Sequence, residues 1–211
     1  NYYERGVPAT RWTKPIVLSV NRGTDNEKVA FAVNTVKRLA GIVSVPVELA
    51  QPDKPEANYL IEFTESSAAQ FFGGAESPCA ARLTSDADGN ITSVRLIISL
   101  WPKHLFRLEH CIRHEAMHGM GLMGHPHGLD SVISYVYDRE DLTEDDQVLL
   151  KLLYAPALKP GMYQLAALRI VRAELAKRLG IPPERAVKLG RKAFEVASTR
   201  MAKAVEAGNI S

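Results

Sequence analysis

His114, Glu115 and His118 stand in the order H-E-x-x-H inside the stretch "RHEAMHGMGLMGHPHG" (Arg113–Gly128), and His125 and His127 follow closely. Residues four apart share one face of an α-helix, so the imidazoles of His114 and His118 can converge on a single ion. Glu115 lies one step round from His114, placed to reach a water on that ion rather than to bind it. Zinc suits neutral imidazole nitrogens, and a catalytic zinc takes three protein ligands with one position left open. One helical turn supplies only two. The glycines that follow suggest where the third comes from. Gly119, Gly121 and Gly124 make continuation of the helix costly and allow a sharp left-handed turn. A helix ending near Met120 or Gly121 can therefore swing His125, or alternatively His127, back to the ion, and Pro126 helps keep that segment extended.

The run "HEAMHGMGLMGH" resembles the metzincin zinc peptidases, whose pattern is H-E-x-x-H-x-x-G-x-x-H followed by a turn containing methionine. His114, Glu115, His118 and Gly121 match it, while the third histidine stands one place late, at His125, with Gly124 in the expected position. "DSVISY" resembles the S-x-M-x-Y segment with Ile133 where methionine would stand. The resemblance implies a zincin-like fold, a zinc cofactor (Zn2+), Glu115 as general base, and an apolar floor at Ile133. It also aligns Tyr135 with a tyrosine that in some metzincins ligates zinc or stabilises an oxyanion; the bland alternative is a core tyrosine.

The surrounding pattern is α/β (α+β). "KPIVLSVN" reads as a buried strand, and "DNEKVAFAVNTVKRLAG" as a helix capped by Asp25 or Asn26 and ended by Gly41. "IVSVPVEL" and "NYLIEF" read as strands, and "AARLTSDADGNITSVRLIISLW" as a hairpin turning at "DADGN". That turn has its glycine too early for a calcium loop. Its second strand, Val94 to Leu100, could hold an extended peptide by strand addition if it lies at a sheet edge. The motif helix is expected from about His104 to Met120, then strand-like "SVISYVY", then a helix capped by Thr143 with Asp146 three residues on. Two amphipathic tail helices follow, one with Leu165, Leu168, Val171, Leu175 and Leu179, the other opened by Pro182-Pro183; core packing accounts for both. The small mixed sheet and motif helix would make a zincin-like domain over 1–162, with 163–211 a helical extension packed on it. His104 and His110 are read as facing solvent or the ligands' neighbours, Glu109 and Arg113 as surface charges, and Asp130 as a candidate acceptor for a ligand imidazole.

A formal charge of +2 on 211 residues does not mark a nucleic-acid binder, although the tail from Lys159 onward is strongly basic. No run of about 18 apolar residues is present to span a bilayer. Cys79 and Cys111 are either a disulfide, if the protein is exported, or two unrelated buried thiols. A second resemblance bears on that choice. "TRWTKPI", the order of the two cysteines about a strand, and "LLKLLYAPALKPGM" together look like an exported bacterial family known only as a domain of unknown function, over roughly Ala9 to Met162. It implies an extracytoplasmic location (secreted or periplasmic) and a Cys79–Cys111 bridge, and many of its members lack the full histidine set. The combined expectation is a zinc-dependent peptidase acting on a peptide or protein substrate. The alternatives are a catalytically silent zincin-fold binding module and an amidase acting on cell-wall peptides.

Overall fold

A computed structural model of the chain describes residues 8–21, 24–50, 56–66, 77–101, 107–126, 129–134, 139–182, 184, 185 and 188. Among them are five strands in one mixed sheet and four helices, an α+β fold. They fall into two compact units, Thr10–Met123 and Gly124–Ser211 with Asn1–Ala9.

In the first unit, β1 (Ile16–Val20) follows Pro15 and buries Ile16 and Leu18 on one face. The helix α1 (Asn26–Ile42) starts at Asp25, whose carboxylate accepts from the Lys28 N–H at 2.9 Å, and buries Ala32, Val36, Leu39 and Ala40. It runs one residue past Gly41, and Ser44 then turns the chain at a left-handed φ of 59°. That turn removes the first half of "IVSVPVEL" from the expected strand, leaving only β2 (Val47–Leu49).

The strands β3 (Tyr59–Thr64), β4 (Cys79–Ser85) and β5 (Ile91–Ser99) complete a sheet of order β2-β1-β3-β5-β4. β1 pairs in parallel with β2 and β3, and β3 pairs in parallel with β5; β4 pairs antiparallel with β5. Asp86 closes the β4–β5 turn by accepting from the N–H groups of Asp88 (3.0 Å) and Asn90 (2.8 Å), with Gly89 at φ 80°. β5 is therefore not an edge strand: Leu96, Ile97 and Ile98 are fully buried between β3 and β4. Among the described residues the outer strands are β4 on this side and β2 on the other.

The motif helix α2 (Leu108–Gly119) packs on β4, β5 and α1. Cys111 in its first turn is bonded to Cys79, the first residue of β4, with 5.7 Å between their Cα atoms. Helix and edge strand are thus covalently joined, and both cysteines of the chain are in this bridge.

In the second unit, Ser131–Ser134 form a buried turn, with the Ser134 N–H donating to the Ser131 carbonyl at 3.0 Å, rather than the start of the expected strand. Their polar groups go to the next helix instead of a neighbouring strand. That helix, α3 (Glu144–Leu153), opens with the Thr143/Asp146 capping box. α4 (Gln164–Leu179) ends at Gly180, φ 61°. Its leucines do not form the expected core stripe: Leu165 is 78% and Leu179 56% exposed, and only Ala176 is buried. Of the following tail helix, only Glu184, Arg185 and Lys188 are among the described residues. Among the described residues no helix is long and apolar enough to cross a membrane.

Candidate metal centre

One turn of α2 carries three buried polar side chains, His114, Glu115 and His118, over fully buried Ile112 and Met117. The Nε2 atoms of His114 and His118 stand 3.2 Å apart. Around a tetrahedral ion with metal–nitrogen bonds of about 2.0–2.1 Å, adjacent donors are about 3.3–3.4 Å apart. The helix alone brings these two rings to ligand spacing.

His118 is held by its other nitrogen. Its Nδ1 lies 2.6 Å from the Leu122 carbonyl oxygen. A carbonyl only accepts, so Nδ1 carries the proton and Nε2 keeps its lone pair for a cation. Burial holds the His118 pKa below its ordinary value, partly opposed by the Leu122 hydrogen bond. Neutral imidazole is the ligating form. Burial acts oppositely on Glu115, pushing its pKa up to about 8.

The helix then stops where the glycines predict. The Met120 N–H reaches Ala116 and Met117 carbonyls, the Gly121 N–H donates to His118 at 2.9 Å, and Gly121 and Gly124 take φ of 98° and 101°. A side chain would be strained at either position. Gly119 has a different task. A Cβ there would sit 2.2 Å from the Tyr59 Oη, so its bareness admits Tyr59 against the helix end. Trp12 stacks near Tyr59, with ring centroids 6.1 Å apart, and its Nε1 donates to the Gly119 carbonyl at 2.9 Å.

Beyond the bend comes His125. One nitrogen from each of His114, His118 and His125 lies within 4.8 Å of the others, close enough to hold one metal ion. His125, rather than the glycine at the metzincin position, joins the pair. His127 and Tyr135 lie outside the described residues. Ile133, the residue in place of the turn methionine, is 2% exposed.

Two sequence readings change. Among the described residues Asp130 accepts from no imidazole, and both its carboxylate oxygens take the guanidinium of Arg139. Arg113 is not a surface charge, because its side chain is 14% exposed and lies over the Phe31 ring at 4.6 Å, while also bonding Glu109. His110 has one of the two surroundings expected for it: it is half-buried, with its ring centroid 5.5 Å from that of His114. The supports from Trp12, Tyr59 and the Leu122 carbonyl carried no signal in local spacing, since two of them approach from far along the chain.

A family described as "Protein of unknown function (DUF2927)" matches residues 1–173. The chain belongs to this family. A search of curated proteins found no match. The description of DUF2927 assigns it no activity. Its disulfide fits an oxidising, extracytoplasmic setting.

Proposed function

We propose that this DUF2927 member is a zinc-dependent peptidase built in the metzincin manner. The observation that carries the reading is the convergence of His114, His118 and His125 beside buried Glu115. The donor set favours zinc: three imidazoles, two at tetrahedral spacing and one with its tautomer fixed by a carbonyl. When bound, zinc would polarise a scissile carbonyl and acidify a water. Glu115 takes the proton of that water and returns it to the departing amine. Burial raises the Glu115 pKa, which strengthens the carboxylate as a base for the first transfer and lets the acid hold the proton for the second. Tyr135, matched to the metzincin tyrosine, is assigned to the developing negative charge.

The substrate is an extended peptide or protein segment. Among the described residues β4 has no strand on its outer side, which makes it, not β5, the edge for strand addition. The bridge between Cys79 and Cys111 supports a secreted or periplasmic location.

A second reading is favoured by the late third histidine. If His127 joined His125, four protein ligands would close the coordination sphere and leave a binding module without hydrolysis. Amide hydrolysis in cell-wall peptides would use the same ion and base.

The test is Glu115→Gln in zinc-loaded protein, offered a mixture of protein-derived and cell-wall peptides. Wild type should cleave; the variant should hold one equivalent of zinc and lose hydrolysis by on the order of 10²–10⁴-fold. Equal cleavage by the variant overturns the mechanism. Zinc binding without cleavage of any peptide by wild type favours the binding module.

A further inference from the structure

We infer that Trp12 is a positioning residue for His118: its indole N–H holds the bend whose Leu122 carbonyl fixes the His118 tautomer. The inference rests on the reading of His118 as a metal ligand. It adds a residue 107 positions away from the Gly119 that it touches.

His118 can ligate through Nε2 only while Nδ1 carries the proton, and the Leu122 carbonyl, 2.6 Å from Nδ1, keeps it there. That carbonyl lies outside α2, on the bend that follows it. The segment Thr10–Trp12 meets this bend at two points. The Gly119 carbonyl, one of the last four of α2 that the helix cannot pair, accepts from Trp12 Nε1 at 2.9 Å. Two residues on, the Thr10 carbonyl lies close against Gly121, where a Cβ would stand 2.2 Å from its oxygen. The backbone between His118 and Leu122 is thus gripped at Gly119 by a hydrogen bond and at Gly121 by contact.

The grip works only if Trp12 is itself fixed. The Arg11 N–H donates to the Gly89 carbonyl at 3.2 Å, and the Ile91 N–H donates to the Arg11 carbonyl at 3.0 Å. The Thr13 hydroxyl donates to the Asn90 side-chain oxygen at 2.9 Å. Thr10–Thr13 is therefore paired with the β4–β5 turn. The Trp12 ring is 3% exposed and stacks near Tyr59 of β3. In such dry surroundings a hydrogen bond is stronger than in water. The constraint runs from the hairpin to Trp12, then through Gly119 and Leu122 to His118, and every link lies within Thr10–Met123. Without the indole N–H, the bend regains the freedom of its glycines and the Leu122 carbonyl can swing away. The neutral His118 ring can then carry its proton on Nε2, the atom the ion needs bare.

The experiment uses Trp12→Phe, which keeps an aromatic ring beside Tyr59 and removes the N–H. Ile16→Ala in β1 is the control, lowering stability elsewhere in the core. Nitrogen-15 NMR of metal-free protein, at a pH where imidazole is neutral, reads which His118 nitrogen bears the proton. Zinc affinity is measured by competition with a chelator. Wild type should hold the proton on Nδ1 alone. Trp12→Phe should show a mixture of tautomers and bind zinc roughly tenfold more weakly. That is the low end of the range for groups that orient ligands, because Trp12 acts through the backbone. Ile16→Ala should leave both readouts unchanged. A wild-type tautomer in Trp12→Phe, a changed tautomer with unchanged zinc affinity, or an equal change in Ile16→Ala overturns the inference alone. Wild-type affinity in His118→Ala overturns the ligand reading, and this inference with it. Should Trp12→Phe fail to fold, benzothienylalanine in place of Trp12 keeps the bicyclic shape, lacks the N–H, and is judged by the same two readouts.

Discussion

Glu115 in α2 and Asp146 in α3 are both buried carboxylates, 6% and 0% exposed, yet their surroundings differ in kind. Asp146 is surrounded by donors: Ser131, Val132 and Thr143 all bond its oxygens. Glu115 sits on a turn backed by Ile112 and Met117, and desolvation is what moves its pKa. Its helix is held by other means, a disulfide in the first turn and the aromatic pair Trp12 and Tyr59 at the last. The contrast separates two uses of a buried acid. A carboxylate saturated with hydrogen bonds organises a backbone; one left to burial alone keeps a proton within reach of chemistry at neutral pH.

The sharpest way to break this contrast is pH. In metal-free protein the unfolded chain releases the Glu115 proton near its ordinary 4.5, whereas the folded chain holds it to about 8. Between those values the unfolded state binds fewer protons, so stability should fall as pH rises through the window, by on the order of 5 kcal/mol in total. Denaturant midpoints in the presence of a chelator should show this loss in wild type and a flatter profile in Glu115→Gln. Parallel profiles would mean that Glu115 is not desolvated.

Next in size is the covalent tie. Replacing both cysteines with serine should cost about 3–4 kcal/mol for a bridge between residues 32 apart in sequence. Calorimetry that finds no loss would show α2 and β4 held by packing alone. Asp146→Ala should cost about 3 kcal/mol by stranding buried donors. Denaturant midpoints that do not move would show that the Ser131–Ser134 turn stands without its carboxylate. The smallest effect belongs to Gly124→Ala, about 1 kcal/mol from strain at φ 101°. Because a Cβ has open space there, thermal unfolding should move by a few degrees only, while zinc affinity falls.

Much of the site was legible in the residues. Two histidines four apart and the glutamate between them need only a helix to share a turn, and the glycines after Met120 need only their conformational freedom to end it. The capping box at Thr143 and the turn at Asp86 were equally local, since each satisfies its own backbone within four residues. Where the sequence misled, the deciding partner was distant. "SVISYVY" alternates like a strand, but in its described part, Ser131–Ser134, Asp146 takes the polar groups of Ser131 and Val132 and leaves a turn. Arg113 has a surface residue's chemistry, but Phe31 offers its ring from α1. Whether Val94 to Leu100 lies at a sheet edge was open in its residues, and β4 pairing along it answers that it does not.

By itself, then, the sequence determined what chemistry one helical turn could hold, because helical periodicity and glycine freedom act over a few residues. Which strand forms the sheet edge, which carboxylate is saturated and which desolvated, and that His125 comes within ligand reach of the pair were decided only by the tertiary structure. Those properties depend on groups tens of residues apart, brought together or kept from water by packing that no local pattern encodes.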